Sequence, residues 1–546
     1  MRLHVRTALA AAIAALIAGC SQNPSATTSG GGGAPFVPGT LRVADIEEPD
    51  TLNPYISTVI TSIDLSLLWG SYFFNVDNHG QFVPEVATVV PTLQNGGVSK
   101  DGLTLTYHLR KDIKWQDGVP LTSKDVVFTW HAIMYEKSNV QVRTGYDKIA
   151  SMDTPDPYTV VVHMKERFAP IVAYFMGIQG GGPILPEHIL SKYPDMNRVP
   201  FDAKPVGAGP FIITDWVHGD HITLTANPDY WRGAPKLHQI IYKWISDNTT
   251  IMTQLKTGET DAWFRADPGL YPQLKDMPGH TTLVSPYSIF GHIDFYTEDP
   301  ILQDVRVRRA IGYAIDRERL IHDATHDVYL ASDSDQPKFS WAYDPNLPST
   351  AQNQPMARQL LDAAGWKVGP DGIRTKNGQR LELQLSYVEG QQIAPAIGAL
   401  VAQELKGVGI ALTQKQYTSA TFFAAAGNGG ILNTHKFQMA YFGWINGVDP
   451  DDSSLYLSSQ IPPVGQNNLW WRDPKVDALE HDALTTFDQA QRKRDYWAIQ
   501  EELVNQAPTI ILFAEQRIDV FNSHFHNFIP SPAESATWNS WEWSME

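Results

Sequence analysis

Apolar and polar side chains alternate from Leu103 to Leu109, with Leu103, Leu105, Tyr107 and Leu109 on one side, directly after the pair Asp101-Gly102. A period of two behind a turn dipeptide predicts a half-buried strand leaving a hairpin. The period changes at Thr122. Thr122 and Asp125 have the spacing of a capping box, and Val126, Trp130, Ile133 and Met134 then recur on one helical face. Ile222 and Leu224 mark another strand. Asp304 to Arg319 reads as one helix, with Val305, Ala310, Ile311, Ala314 and Ile315 inward and Arg306, Arg308 and Arg309 outward. Met356 to Ala364 reads as a helix stopped by Gly365, since glycine takes the left-handed conformation just past a helix end at no steric cost. Gln489 to Asn505 is helical ahead of Pro508, and Thr509 to Phe513 is a buried strand. Strands and helices intermingle along the chain, which predicts α/β lobes rather than a bundle or a sandwich.

One apolar run fits neither period. Ala8 to Ala18 is unbroken over 11 residues behind Arg2 and Arg6. A hydrocarbon core needs about 20 residues, so the run reads as an export signal. Ile17-Ala18-Gly19-Cys20 resembles a bacterial lipobox, which makes Cys20 the expected lipidation site and places the protein outside the cytoplasm, anchored to a membrane. Ser21 to Gly39 is rich in Ser, Thr, Pro and Gly, including Gly30 to Gly33, and reads as a flexible tether. The folded body is expected to begin near Thr40. No later apolar run reaches 18 residues, so the mature chain is not expected to cross the membrane.

Charge and composition narrow the function. Among 546 residues, 59 acidic against 42 basic side chains give a net charge of −17. That balance argues against nucleic-acid binding, which requires basic stripes. Cys20 is the single cysteine, so neither an intrachain disulfide nor a cysteine-held metal cluster is available. No phosphate-cradling P-loop, nucleophile elbow or His-Glu-x-x-His pair is found. His322 and His326 have the spacing of a helical metal pair but no third ligand follows, and His524 and His526 read the same way, as surface histidines. Asp449, Asp451 and Asp452 lack the glycine and distal glutamate of a calcium loop. No metal, cofactor or catalytic set is expected. The positive signal is aromatic: 16 Trp, 21 Tyr and 22 Phe make up 11% of the chain. In Tyr441-Phe442-Gly443-Trp444, core packing accounts for the first two, while Trp444, beside small and polar residues, suits either core or a ligand cleft.

Longer segments carry a resemblance. Ser99-Lys-Asp-Gly-Leu-Thr-Leu-Thr-Tyr-His-Leu-Arg110 and Trp115-Gln-Asp-Gly-Val-Pro-Leu-Thr-Ser-Lys-Asp-Val-Val-Phe128 look like the signature of the extracellular solute-binding proteins, family 5. These are peptide- and nickel-type receptors of ABC importers. Gly207-Ala-Gly-Pro-Phe211, Ala226-Asn-Pro-Asp-Tyr-Trp-Arg-Gly233, Asp304-Val-Arg-Val-Arg-Arg-Ala-Ile311 and Ala314-Ile-Asp-Arg317 follow in the family's order, with weaker matches through Leu360-Leu-Asp-Ala-Ala-Gly365 to Asn505.

The resemblance implies an α/β, two-lobed periplasmic-binding-protein fold of the second type, with an extra α/β domain in the first lobe. It places the signal peptide at 1–20, the tether at 21–39, the first lobe at 40–74, 183–279 and 509–546, the extra domain at 75–182, ending at a flexible Gly180-Gly181-Gly182, and the second lobe at 280–508. The implied role is a receptor without catalysis, a monomer that traps a solute by hinge closure and delivers it to a permease and its ATPase. In peptide-binding relatives a Trp is followed three residues later by an Asp that pairs with the ligand's α-ammonium, before an acidic residue and Pro. Trp444 and Asp449-Pro450 match the flanks, but the segment is one residue shorter, leaving Asn446 or Gly447 at the ammonium position and Asp449 as a substitute. Tyr296 follows Phe295 where relatives carry Phe-Asn, and Thr58 completes the candidate ligand set. An oligopeptide is the expected ligand. An oligosaccharide or other polar solute is the alternative, a chelated nickel ligand is disfavoured by the lack of His in the segment, and a lipid-anchored hydrolase is the reading from a different class.

Overall fold

The computed structural model describes residues 34–546, apart from Thr58, Gln391, Gln392, Glu534 and Ser535. The expected signal, Cys20 and Thr58 therefore lie outside the described residues.

The strands that build the molecule are β1 (Thr40–Asp45), β2 (Thr104–His108), β3 (Ile149–Asp156), β4 (Thr159–Met164), β5 (Phe211–Val217), β6 (His221–Ala226), β7 (Gln239–Trp244), β8 (Ala262–Trp263), β9 (His280–Phe295), β10 (Glu382–Val388), β11 (Ala411–Tyr417), β12 (Met439–Ile445) and β13 (Thr509–Asn522). Ten of them form one mixed sheet in the order β11-β10-β12-β9-β13-β8-β1-β7-β6-β5. The two long strands β9 and β13 pair antiparallel from His280 opposite Asn522 to Asp294 opposite Thr509. Each serves both halves of the sheet. The later part of β9 carries β12, from Ile289 opposite Ile445 to Phe295 opposite Met439. The later part of β13 carries β8, through Phe521 opposite Ala262. Between Pro286 and Phe290 the ladder slips, so three residues of β9 face Glu515 alone. A bulge of this kind bends and twists the pair, and here it lies where the two halves of the sheet part.

The helices needed below are α1 (Ser123–Met134), α2 (Val305–Ala314), α3 (Arg317–Thr325), α4 (Gln354–Ala363), α5 (Pro474–Thr485) and α6 (Gln489–Gln506). Local signals place several elements as expected. β2 buries Leu105 and Tyr107 and pairs with β4, which pairs with β3, in a separate three-stranded sheet. The capping box is present: the Thr122 N–H donates to Asp125 Oδ2 at 2.8 Å at the start of α1.

Three readings need correction. The segment expected as one helix from Asp304 to Arg319 is two, because Asp316 caps a new helix, its Oδ1 accepting from the Arg319 N–H at 3.0 Å. Arg308, expected outside, is buried. Its guanidinium donates to Leu302 O at 2.7 Å and to Gln506 O and Ala507 O at 2.7 and 2.9 Å, closing the C-terminus of α6 where carbonyls lack helical partners. The end of the expected tether also belongs to the body. Asn522 Nδ2 donates to Ala34 O and Pro35 O, the Gly39 N–H donates to Met545 O at 3.0 Å, and Phe36 stacks on His524 at 4.1 Å.

Candidate functional site

β12 delivers Trp444 and Ile445 to the region where the halves part, and the chain then turns through residues 446–452. Trp444 lies opposite Phe290, half-buried and packed against two apolar clusters of the second half of the sheet. Asn446 faces inward: its Nδ2 donates to Asp335 O at 2.5 Å and its backbone N–H to Ser288 O at 2.8 Å. Its amide is therefore held by the protein itself. Asp449 is also engaged, accepting from Arg492 Nη1 and Nη2 at 2.7 and 2.6 Å. Two parallel N–H bonds onto one carboxylate are the strongest common form of ion pair, and this one is buried. Arg492 comes from α6 and also lies over the Trp341 and Tyr496 rings, at 5.3 and 5.7 Å.

Tyr296 does not join this group. Its N–H bonds to Gln438 O, beyond the opposite end of β12, about 20 Å from Trp444 at roughly 3.4 Å per strand residue. There it stacks on His435 at 5.0 Å and meets Trp470 edge-on. His322, one of the spaced histidines, bonds the exposed Asp327 carboxylate.

Sequence reasoning missed the partners of the 446–452 turn. Gln179 reaches it from the first half of the molecule: its Oε1 accepts from the Asp449 N–H at 3.1 Å and its Nε2 donates to Asp449 O at 3.4 Å. This contact depends on Gly447, because a Cβ there would lie 2.0 Å from the Gln179 amide carbon. The Tyr174 hydroxyl donates to Asp451 Oδ2 at 3.3 Å. The glycines after Gln179 serve close approach, since a Cβ on Gly180 would sit 1.7 Å from the Tyr174 carbonyl oxygen. Beside these contacts lies a cavity of about 940 Å³, with Arg143, Lys148 and Tyr174 on one wall and Asp451, Ser454 and Gln460 on the other.

Behind the turn, Asp335, Asp452 and Glu480 are buried together. Among the described residues no well-formed hydrogen bond reaches Glu480 or Oδ1 of Asp452, and the Tyr456 hydroxyl and Gln336 N–H only face Asp335. Burial pushes the Glu480 carboxyl up to about 8 and raises Asp335. Burial, then the charges of Glu480 and Asp335, hold Asp452 well above the usual carboxylate range. Burial with like charges close by favours the protonated forms of such carboxyls. Gln336 ties the trio to the turn, its Nε2 donating to Pro450 O at 3.2 Å and Asp452 Oδ2 at 3.3 Å. A further carboxyl, Glu515, sits half-buried on β13 opposite the bulge, where burial pushes it up to about 7. Among the described residues no group of three or more His, Cys, Asp or Glu is arranged to hold a metal ion.

Comparison with known proteins places this geometry in context. Residues 81–463 match the description "Bacterial extracellular solute-binding proteins, family 5 Middle". The oligopeptide-binding protein AppA of Bacillus subtilis is 28% identical over 521 residues, covering 94% of this chain and 92% of AppA. A putative ABC transporter peptide-binding protein of Brucella ovis is 29% identical over 450 residues, 80% of each chain. Among solved structures, NikZ from Campylobacter jejuni in complex with Ni(L-His) superposes with a TM-score of 0.79 at 25% identity, over 93% of this chain and 100% of NikZ. B. subtilis AppA in complex with a nonapeptide superposes with a TM-score of 0.78 at 24% identity, over 94% of this chain and 100% of AppA.

Proposed function

The chain belongs to the bacterial extracellular solute-binding proteins, family 5, and from that premise we propose that it is the receptor of an ABC importer, taking an oligopeptide between two lobes and handing it to a membrane permease and its ATPase. The family is made of extracellular or periplasmic substrate-binding receptors, and the fold is the two-lobed periplasmic-binding type. The observation that carries the ligand class is the likeness to an oligopeptide-binding protein along 94% of the chain.

The two strands β9 and β13 support a division into a first lobe (40–74, 183–279, 509–546) with an extra domain (75–182), and a second lobe (280–508). On this division the Gln179–Asp449 and Tyr174–Asp451 contacts cross the cleft, and the 940 Å³ cavity lies within it. Closure needs no covalent step; a solute shifts the open–closed equilibrium through contacts made only when closed. The receptor acts without catalysis, as a monomer, held at the membrane by lipid on Cys20.

Mass spectrometry of the small molecules that co-purify with the native protein tests the ligand class, with oligopeptides expected. Incubation with excess candidate should return the ligand unchanged. Consumption of ligand would favour a hydrolase, and a co-purifying sugar would move the oligosaccharide reading ahead. Cys20→Ala should release the protein into the soluble fraction; wild type with no mass added at Cys20 would refute the anchor.

A further inference from the structure

The carboxyl groups of the 446–452 turn are engaged or buried, which leaves the recognition of charge in the cleft to another residue. Glu515 has the required surroundings. It stands on β13 opposite the bulge at 287–289, at the crossing between the lobes. Its Oε2 accepts one hydrogen bond, from the Tyr329 hydroxyl at 3.2 Å. Among the described residues no Lys, Arg or His forms an ion pair with it.

Its other oxygen faces β12 at Gly443, with the Ile289 side chain beside it. Gly443, exposed, pairs with Gly291 across the ladder; Gly291 is covered by the Phe513 ring, which a Cβ there would meet at 2.2 Å, so the notch lies at Gly443. A Cβ on Gly443 would come to 3.4 Å from Oε1, so any larger residue would stand in front of that oxygen. Around this notch stand the rings of Tyr329 and Tyr441, each against Phe513, at 5.1 and 6.5 Å, while Trp444 follows Gly443 in the strand. A carboxylate with a single neutral donor, walled by rings, lacks the countercharge that would make its ionised form stable.

We propose that Glu515 is the specificity-determining residue for charge in this cleft: Oε1 receives an ammonium or guanidinium group of the bound solute in the notch left by Gly443. This rests on the receptor reading above. For a peptide the cation is either the free amino end or a Lys or Arg side chain. Because burial pushes Glu515 up to about 7, pairing with a cation near neutral pH must also expel its proton. The other ionisable groups facing it, Tyr329 and Tyr441, are not cations and do not do the same.

The test uses the full chain and three defined probes: the pentapeptide Ala-Ala-Lys-Ala-Ala, its N-acetylated form, and its norleucine-for-lysine form. Each is titrated calorimetrically at pH 7 into wild type and Glu515→Gln, in two buffers of different ionisation heat. In wild type, removal of one of the two cations should weaken binding about 10- to 100-fold, and which one identifies the group that is read. Binding of the preferred probe should release protons. In Glu515→Gln both the discrimination and the proton release should vanish, while Glu515→Asp should keep part of the discrimination. Thermal unfolding of Glu515→Gln at pH 8, expected at or above wild type, shows that the variant is folded. Discrimination that survives in Glu515→Gln, or wild type indifferent to both cations, overturns the inference and leaves the receptor reading standing. Wild type that binds none of the probes overturns the oligopeptide reading, and the inference with it.

Discussion

Asp449 in the 446–452 turn and the trio Asp335, Asp452 and Glu480 behind it are all buried, and they are accommodated by different means. Asp449 meets a guanidinium: Arg492 closes on both of its oxygens at 2.6 and 2.7 Å. Asp335, Asp452 and Glu480 form no ion pair among the described residues, and burial raises all three instead. The difference shows that burial alone does not decide whether a carboxyl carries charge; a fixed cation does. It also predicts opposite consequences when either group is disturbed.

The largest effect is expected from Arg492→Leu. It leaves Asp449 buried without its partner, and unfolding free energy from denaturant titration should fall by about 3–5 kcal/mol. A loss below about 1 kcal/mol would mean that the pair is not the support of the turn. Next is the trio. Glu480 has its folded-state value near 8, above an ordinary 4.5. The folded state therefore binds the extra proton, so its contribution is complete at or below about pH 4.5 and is lost as pH rises toward 8. Glu480→Gln keeps the protonated shape and should remove that loss, stabilising the protein at pH 8.5 by on the order of 2–4 kcal/mol and scarcely at pH 4.5. Asp335, Asp451 and Asp452 titrate beside it and Arg492 faces it, so the decline should be broad rather than a single step. A variant less stable than wild type at pH 8.5 would show that the trio is ionised.

Asn446→Asp sharpens the same contrast. It replaces the donor to Asp335 O with a fourth carboxyl beside the trio, and should destabilise by about 1–2 kcal/mol at pH 8 and less at pH 5. Equal loss at both pH values would separate Asn446 from the trio. The smallest effect concerns the side of the turn that meets Gln179. Gly447→Ala should expel the Gln179 amide and open the cleft, seen as a larger radius of gyration in solution scattering. On a Gln179→Ala background the same change should add little, because the clashing group is gone. Simple additivity would show that the two residues do not meet.

How much of this was legible in the sequence follows the distance between partners. The strand at Leu105 and Tyr107 and the capping box at Thr122 depend on neighbours a few residues away, and the pattern shows them. The break at Asp316 was also locally encoded, by a side chain able to cap Arg319 N, but the continuous apolar face on both sides concealed it. Arg308 was misplaced because its acceptors are the carbonyls of residues nearly 200 positions later. Family resemblance brought attention to Trp444, Asn446 and Asp449, yet what occupies them is set from afar: Arg492 lies 43 residues on and Gln179 270 residues back. Tyr296 fails to join them because strand length carries it to the far end of β12. Glu515 has no motif at all. Only the slip in the β9–β13 ladder reveals that it stands at a crossing.

The docking of residues 34–39 against the end of β13 has a mechanical consequence. Ala34, where the described chain begins, and Glu546, where it ends, are fixed to the same corner of the molecule, through Asn522, His524 and Met545. On the proposed division that corner belongs to the first lobe. In a reference frame attached to it, the proposed first lobe is the stator and the proposed second lobe the rotor.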